Sequence, residues 1–421
     1  MILGMRTITI IGLVIISTNN FSLAQGFDAS SLGMGGAYGA VARGVDALNW
    51  NPANLVLSRP HFFELNFVGA NLRVGNSSLS VDSYERYLTE SGHQGEWSDE
   101  DIEEILNLIP TDGFDVNLDL SANVLGMVFG QFGITLEVLG KGMGLVPKEI
   151  VELSLRGNLK DEYRFERGDA DAFSAIKTSF AGAFPITLKR YFNELGVGFS
   201  LNYYRGLAMA ELLDVEGVFY TGEEYIMSYM EVEGRKAEGG YGFSIDLGAA
   251  GVIRDKFTVG LALRNVLGSI KWNRNTEAVF LNFEVDSVKI DNLDDIESNS
   301  SDTTYAIDPF STRLPFDFHL GVSYLLSEQV LLSLDLEQAF TKRLGYSDQG
   351  QLALGVQYSP ITSIPLRAGM SFGGKWGYKL GLGFGLHFGF FNLDLAYSMH
   401  RALWPAYSKG ISIAANIKFL I

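Results

Sequence analysis

Alternation of apolar and polar positions is clearest in the last third of the chain. Tyr378, Leu380, Leu382, Phe384, Leu386 and Phe388 fall on one face of an extended run; Gly377, Lys379, Gly381, Gly383, Gly385 and His387 fall on the other. After a tight turn, Phe391, Leu393, Leu395, Tyr397 and Met399 alternate with Asn392, Asp394, Ala396, Ser398 and His400. A last run sets Ile411, Ile413, Ala415, Ile417 and Phe419 against Ser412, Ala414, Asn416 and Lys418. A period of two marks strands whose two faces meet different surroundings. The apolar face stays almost free of charge from run to run, which separates this chain from a soluble sandwich.

The same pattern recurs at 61–72, 115–129, 131–141, 173–185, 195–207, 240–253, 256–270, 313–326, 329–340, 349–359 and 365–373. The total is about fourteen strands, an even number as bacterial membrane barrels require. Alternate connections sort by length. One set is mostly short, at Gly130, Asp255, Ser327-Glu328 and Gly389, with 186–194 and 360–364 longer; the other includes 73–114, 142–172, 208–239 and 271–312. Short turns lie on the periplasmic side of such barrels and long loops outside, so both ends of the wall fall on the short-turn side. Extended strands are expected in 208–236 and 276–290, carrying the wall beyond the bilayer.

Three loop segments read as helices. Ser98 and Asp101 form a capping box, Pro110 ends the segment, and Ile102, Ile105, Leu106 and Ile109 make an apolar stripe. Ser83 to Glu90 is a second, and Pro147 opens a third. The stripes have two readings: they pack the loops onto one another, or they line a groove that collects apolar ligands at the outer mouth.

Composition sharpens this picture. The 421-residue chain has 48 Gly, 12% aromatic and only 19% charged residues, a blend that suits a transmembrane barrel. It contains no Cys, which removes disulfides and thiolate metal sites. A formal charge of −17 argues against nucleic acid as a partner. Residues 1–24 read as a signal peptide: Arg6, then an apolar core from Ile8 to Ile16, then Ser22-Leu23-Ala24. No other stretch is apolar and long enough for a spanning helix, so a membrane would be crossed by strands.

Between this leader and the first strand lies Gln25 to Leu55, rich in Gly and Ala and nearly free of charge. It reads as an N-terminal hatch folded into the barrel. The expected division is therefore 1–24 signal peptide, 25–58 hatch and 59–421 barrel: an all-β, transmembrane antiparallel β-barrel of about fourteen strands, with an N-terminal plug and short helices in extracellular loops. Pro52 fixes a turn and Asn51 can bond nearby backbone, so Asn51-Pro52-Ala53 is expected to anchor the hatch to the wall. Arg43 and Asp46 are the hatch charges expected to pair with the wall.

Gly33-Met34-Gly35-Gly36-Ala37-Tyr38, followed by Asp46-Ala47-Leu48-Asn49-Trp50-Asn51-Pro52-Ala53, resembles the opening of the FadL-type outer-membrane transporters of hydrophobic compounds. The wording Arg43 to Leu55 is more similar to an uncharacterised Bacteroidetes-type branch with PorV-like relatives. The resemblance implies a Gram-negative outer-membrane location and outer-membrane lipid around the barrel. It also implies that an aromatic near the mature N-terminus, here Phe27, lines a ligand pocket; plain plug packing is its other reading.

The inward face carries Glu64, Asp119, Glu137, Lys177, Asp246, Arg264, Asp317, His319, Asp335, Glu337, Arg367, Lys379, His387 and Lys418. Such a mixed set can clamp a plug by ion pairs or line a water path; the clamp is favoured because Gly381, Gly383 and Gly385 clear space for backbone approach. Enzyme signatures are missing: there is no G-x-S-x-G elbow, no phosphate loop and no metal-binding His spacing, so neither catalysis nor a metal or other cofactor is expected. The acidic stretch from Asp286 to Asp308 lacks EF-hand spacing and reads as a solvated loop. Two functions remain: a passive, hatch-gated channel for a small, fatty-acid-like hydrophobic molecule, or a non-transporting barrel that binds another outer-membrane or secreted protein.

Overall fold

In the computed structural model, the described residues are 28–59, 61–92, 97–157, 162–166, 168–188, 190–222, 225–289, 298–344 and 346–420. The expected leader and Phe27 lie outside them. Eighteen strands follow in chain order: β1 (Phe63–Asn76), β2 (Phe114–Phe129), β3 (Phe132–Val146), β4 (Glu162–Phe165), β5 (Asp169–Pro185), β6 (Glu194–Thr221), β7 (Tyr225–Ile253), β8 (Phe257–Trp272), β9 (Glu277–Lys289), β10 (Ser298–Ala306), β11 (Phe310–Arg313), β12 (Asp317–Ser327), β13 (Val330–Ala339), β14 (Gln351–Ile361), β15 (Ile364–Gly373), β16 (Lys379–Phe388), β17 (Phe391–His400) and β18 (Gly410–Leu420).

Fourteen of these close an antiparallel ring. Each of β1, β2, β3, β5, β6, β7, β8 and β12 to β18 pairs with the next, and β18 returns to β1 with Leu72 opposite Ile413. Closure leaves the ring no open edge, which a sheet in hydrocarbon requires. The other four strands pair only with the outer ends of β6, β7, β8 and β9. They lengthen the wall on the long-loop side, as the runs at 208–236 and 276–290 led us to expect: β6 and β7 are 28 and 29 residues long, where about 10 cross a bilayer.

Polarity across the wall is the reverse of a soluble protein. On β14, Leu352 and Leu354 are 42% and 47% exposed outward, whereas Ala353 between them is 1% exposed. The outward set continues through Leu334, Leu366, Leu382, Leu395 and Ile413, while Ser333, Asp335, Ser371, Asp394 and Ser412 are buried in the lumen. Among the described residues, no helix is long and apolar enough to cross a membrane.

Three helices decorate the long loops: α3 (Val81–Leu88), α4 (Asp99–Leu108) and α5 (Lys148–Arg156), after the shorter α1 (Ala29–Gly33) and α2 (Ala47–Trp50) of the N-terminal segment. The Ser98/Asp101 capping box forms as expected. A second box, Ser80/Ser83, starts α3 two residues before the expected position. Replacing Leu354 by Arg puts a charge in mid-strand on the outward face and is expected to cost about 2–4 kcal/mol. Reversible urea unfolding in phospholipid vesicles checks this; a cost near zero would place that face in water.

Candidate functional site

Residues 28–57 fill the short-turn half of the lumen. Three features of their sequence make them compact: Asp28 caps α1 by accepting from the Ser31 N–H, Asn51 caps the 3₁₀ turn Pro52–Val56, and Asn54 ties the carbonyls of Gly39 and Ala42 together. Trp50 lies edge-on to Tyr38 at 5.8 Å and to His319 of the wall at 5.2 Å, and its indole N–H donates to Asp28 at 3.0 Å.

So short a plug leaves backbone donors without intrahelical partners, and the wall accepts from them. Asn416 accepts from the Ala29 N–H (2.7 Å), Asp335 from Gly39 (2.6 Å) and Glu64 from Val45 (2.9 Å). These acceptors stand on β18, β13 and β1. On the far side the Asn51 amide donates to the Ala249 and Leu261 carbonyls of β7 and β8, at 3.1 and 3.2 Å. The plug is thus pinned around the ring. Asp46 completes the clamp, accepting from Lys418 (2.6 Å) and from the Tyr38 hydroxyl (3.0 Å).

Glycine lets the two backbones meet. A β-carbon on Gly381 would stand 2.2 Å from the Leu32 carbonyl oxygen, on Gly369 2.1 Å from the Met34 carbonyl carbon, and on Gly198 2.4 Å from the Ala53 nitrogen. Within the plug, Gly44 has φ +55°, and a β-carbon there would overlap the Glu64 carboxylate at 1.7 Å. Gly33 abuts Gly383 directly; Gly35 has φ +66° against Met370, and Gly36 has φ +97° beside Gln351.

Two expectations are corrected. Arg43 forms no ion pair with the wall: its guanidinium donates to the Ala40, Val41 and Ala42 carbonyls and to the Thr258 hydroxyl, serving as an internal staple of a turn. Gly385 does not face the plug; its free side points at Asp394, Pro365 and His387, one step past the α1 contact.

Around and above the plug the lumen is polar and crowded. Arg367 binds Asp394 (2.6 Å), which also takes His387 (3.1 Å); Arg264 bridges Asp317 (2.6 Å) and Glu337 (2.7 Å); His319 meets Asp335 at 2.7 Å. Asp246 accepts from Asn202 and from the Asn265 N–H, both at 2.8 Å. Every charged inward residue expected from the alternation lies on this face. Sequence reasoning did not single out a cationic belt. Register sets Arg73, Asp119 and Lys141 in one row across β1, β2 and β3. Lys375 reaches in to Asp119 at 2.5 Å, and Lys379 donates to Gln351 at 2.9 Å. Four cations thus gather near Asp119, with Glu337 also close enough to act on Arg73, Lys141 and Lys379. Burial pulls the Lys375 ammonium below the ordinary lysine range, with Asp119 opposing.

The outer helices close on each other. Ile105, Leu106 and Ile109 are buried and Ile102 partly so; Lys148, the first residue of α5, donates to the Ile109 carbonyl, and the Tyr87 hydroxyl of α3 bonds Glu104 of α4. The apolar stripe therefore packs loop on loop. At the short-turn end a cleft of about 420 Å³ opens beside Leu55, Val56, Leu57, Phe62, Gln131 and Pro185. Among the described residues no group of three or more His, Asp or Glu is placed to hold a metal ion.

A family model described as a family of unknown function (DUF5723) matches residues 228–397. No curated protein matches. Solved structures do. The toluene transporter TbuX of Ralstonia pickettii is similar at 15% identity and a TM-score of 0.53, over 94% of this chain and 99% of that one. The toluene transporter TodX of P. putida gives 11%, 0.51, 94% and 99%. A Pseudomonas aeruginosa FadL homologue gives 13%, 0.51, 95% and 99%. At these identities the likeness shows the fold: a FadL-like plugged barrel.

Asn51→Ala removes both donors to the wall and the acceptor of the Ala53 N–H. The expected loss is about 1–3 kcal/mol of hatch seating. Hydrogen exchange of amides 39–54 should quicken tenfold or more, on the scale of about 1.4 kcal/mol per factor of ten, with strand amides unchanged. Gly381→Leu should act in the same direction by unseating α1.

Proposed function

We propose that this chain is a passive outer-membrane channel of a Gram-negative bacterium for small hydrophobic, fatty-acid-like molecules, gated by its N-terminal hatch. Residues 1–24 would be the leader and residues 25–58 the hatch. The observation that carries the reading is the hatch itself. It fills a closed barrel through contacts with side chains and glycines whose presence in strands serves the plug rather than the sheet. Likeness in fold to toluene transporters and a FadL homologue supports the same class.

The cationic belt favours an anionic head on the ligand. Buried like charges are costly unless a counter-charge joins them, and a carboxylate would supply one between Arg73, Lys141, Lys375 and Lys379. In this mechanism the ligand enters from the outer mouth and its head rests at the belt. A shift of the hatch then opens the way to the cleft beside Leu57. Phe27 is assigned to the pocket wall, on the resemblance alone. Gating requires that ligand contact differ between the seated and shifted hatch.

Uptake of decanoate and of decanol into proteoliposomes tests this. The wild type is expected to admit both above empty vesicles. Lys379→Gln combined with Lys141→Gln should slow decanoate about tenfold, the worth of a charge-assisted hydrogen bond, and leave decanol unchanged. Uptake of neither compound would sink the proposal.

A further inference from the structure

The connection 340–350 between β13 and β14 does not stay at the rim. It turns into the barrel, where Leu344 is 0% exposed among Leu139, Phe173, Met209, Ile270 and Trp272, with Tyr346 alongside. Those five hosts stand on β3, β5, β6 and β8. Trp272 is held in place by its indole N–H, which donates to the Thr312 hydroxyl at 3.1 Å. The pocket is thus wall, and its filling is loop.

Leu344 enters in a left-handed conformation, φ +54°. A residue with a side chain adopts this at a cost and holds it only where its surroundings impose it. The Leu344 N–H donates to Asp171 at 2.7 Å. On the outer side Lys342 pairs with Asp169 and Arg343 with Glu211, both at 2.7 Å. The Lys342 pair is about half exposed on both partners, and exposed pairs of this kind hold weakly. Opposite Phe173 in the strand register, Lys141 of the cationic belt lies 3.7 Å from the Tyr346 ring centre. The loop therefore spans both surfaces, with its leucine on the apolar hosts and its tyrosine on a cation.

We infer that the pocket of Leu139, Phe173, Met209, Ile270 and Trp272 is a binding site for the apolar chain of a ligand, and that Leu344 occupies it as a built-in competitor. An incoming chain takes the place of Leu344, the rim pairs open, and a polar head reaches the belt. The inference rests on the channel reading only in taking the ligand to be apolar.

The test uses the full-length protein in lipid nanodiscs, titrated with the neutral apolar fluorophore N-phenyl-1-naphthylamine. Removing the competitor with Leu344→Ser is expected to tighten binding about tenfold, from the burial of one leucine side chain. Adding Trp272→Ala should abolish the gain. Arg343→Gln, which breaks the rim pair from the loop side and leaves Glu211 bound to Arg235, should give a smaller gain of the same sign. Heat-dependent gel mobility reports that each barrel is folded. Equal binding by wild type, Leu344→Ser and Arg343→Gln would overturn the inference, as would a gain that survives Trp272→Ala. Vesicle flux of the same fluorophore separates the two claims. Flux without a binding difference removes the pocket and leaves the channel; a binding gain without flux in any variant removes the channel and leaves the pocket.

Discussion

The structure depends on one requirement: thirty or so residues of irregular backbone lie inside a barrel, and their N–H groups must find acceptors there. A buried donor left without a partner costs as much as a hydrogen bond is worth, or more. The wall answers with Asn416, Asp335 and Glu64, and with carbonyls of β7 and β8 that Asn51 bridges. It also answers with absence of side chains, at Gly198, Gly369 and Gly381. Gly, Asn and Asp are poor strand formers. Their presence in mid-strand is explained by the plug they receive.

The same requirement orders the lumen in layers. Nearest the short turns is the hatch with its clamp, Asp46 to Lys418. Beside and above it runs a band of buried ion pairs, Arg367 with Asp394 against α1 and Arg264 with Asp317 and Glu337 farther out. Such pairs add little net stability over apolar packing, but they cost dearly if one partner is lost, so they act to fix register and position. Beyond them the cationic belt and the apolar zone around Trp272 lie side by side, with Lys141 opposite Phe173. A ligand with an apolar chain and an acidic head would match this pair of surfaces.

Much of the wall was legible because lipid leaves few choices. A residue facing hydrocarbon must be apolar, so Leu352, Leu354, Leu382 and Leu395 announce their direction, and their neighbours' direction follows. The hatch was legible from Asn51-Pro52 and its glycines, since such a segment fits neither a strand nor a spanning helix. Less legible was which lumen charge meets which. Arg73, Asp119 and Lys141 become a row only once the pairing register of three strands is fixed, and alternation gives face but not register. Arg43 misled because it looked like a charge in search of an acid, while the tight turn at Ala40 to Ala42 offered three carbonyls closer by. The inward turn of 341–344 and 346–350 left almost no trace: one leucine and one tyrosine among polar residues have no period.

The two closures of the lumen differ in kind. The hatch is held by buried, charge-assisted and backbone-directed bonds spread around the ring, each of which loses its partner when the plug shifts. The outer loop is held by one buried leucine, a backbone bond to Asp171, a pair to the buried Glu211 and one to Asp169 that stands at the rim. Rim pairs are weakened by water and salt, whereas buried ones are screened little. An apolar chain arriving from outside meets the weaker closure first, and it can replace the leucine contact in kind. It has no equivalent to offer the hatch, whose bonds are polar. In the gating mechanism we propose, moving the hatch would need the other half of the ligand: a charged head that competes for Lys379, Arg73 or Lys418, the partner of Asp46. A purely apolar molecule would then open the outer mouth alone, and an amphipathic one would also loosen the plug.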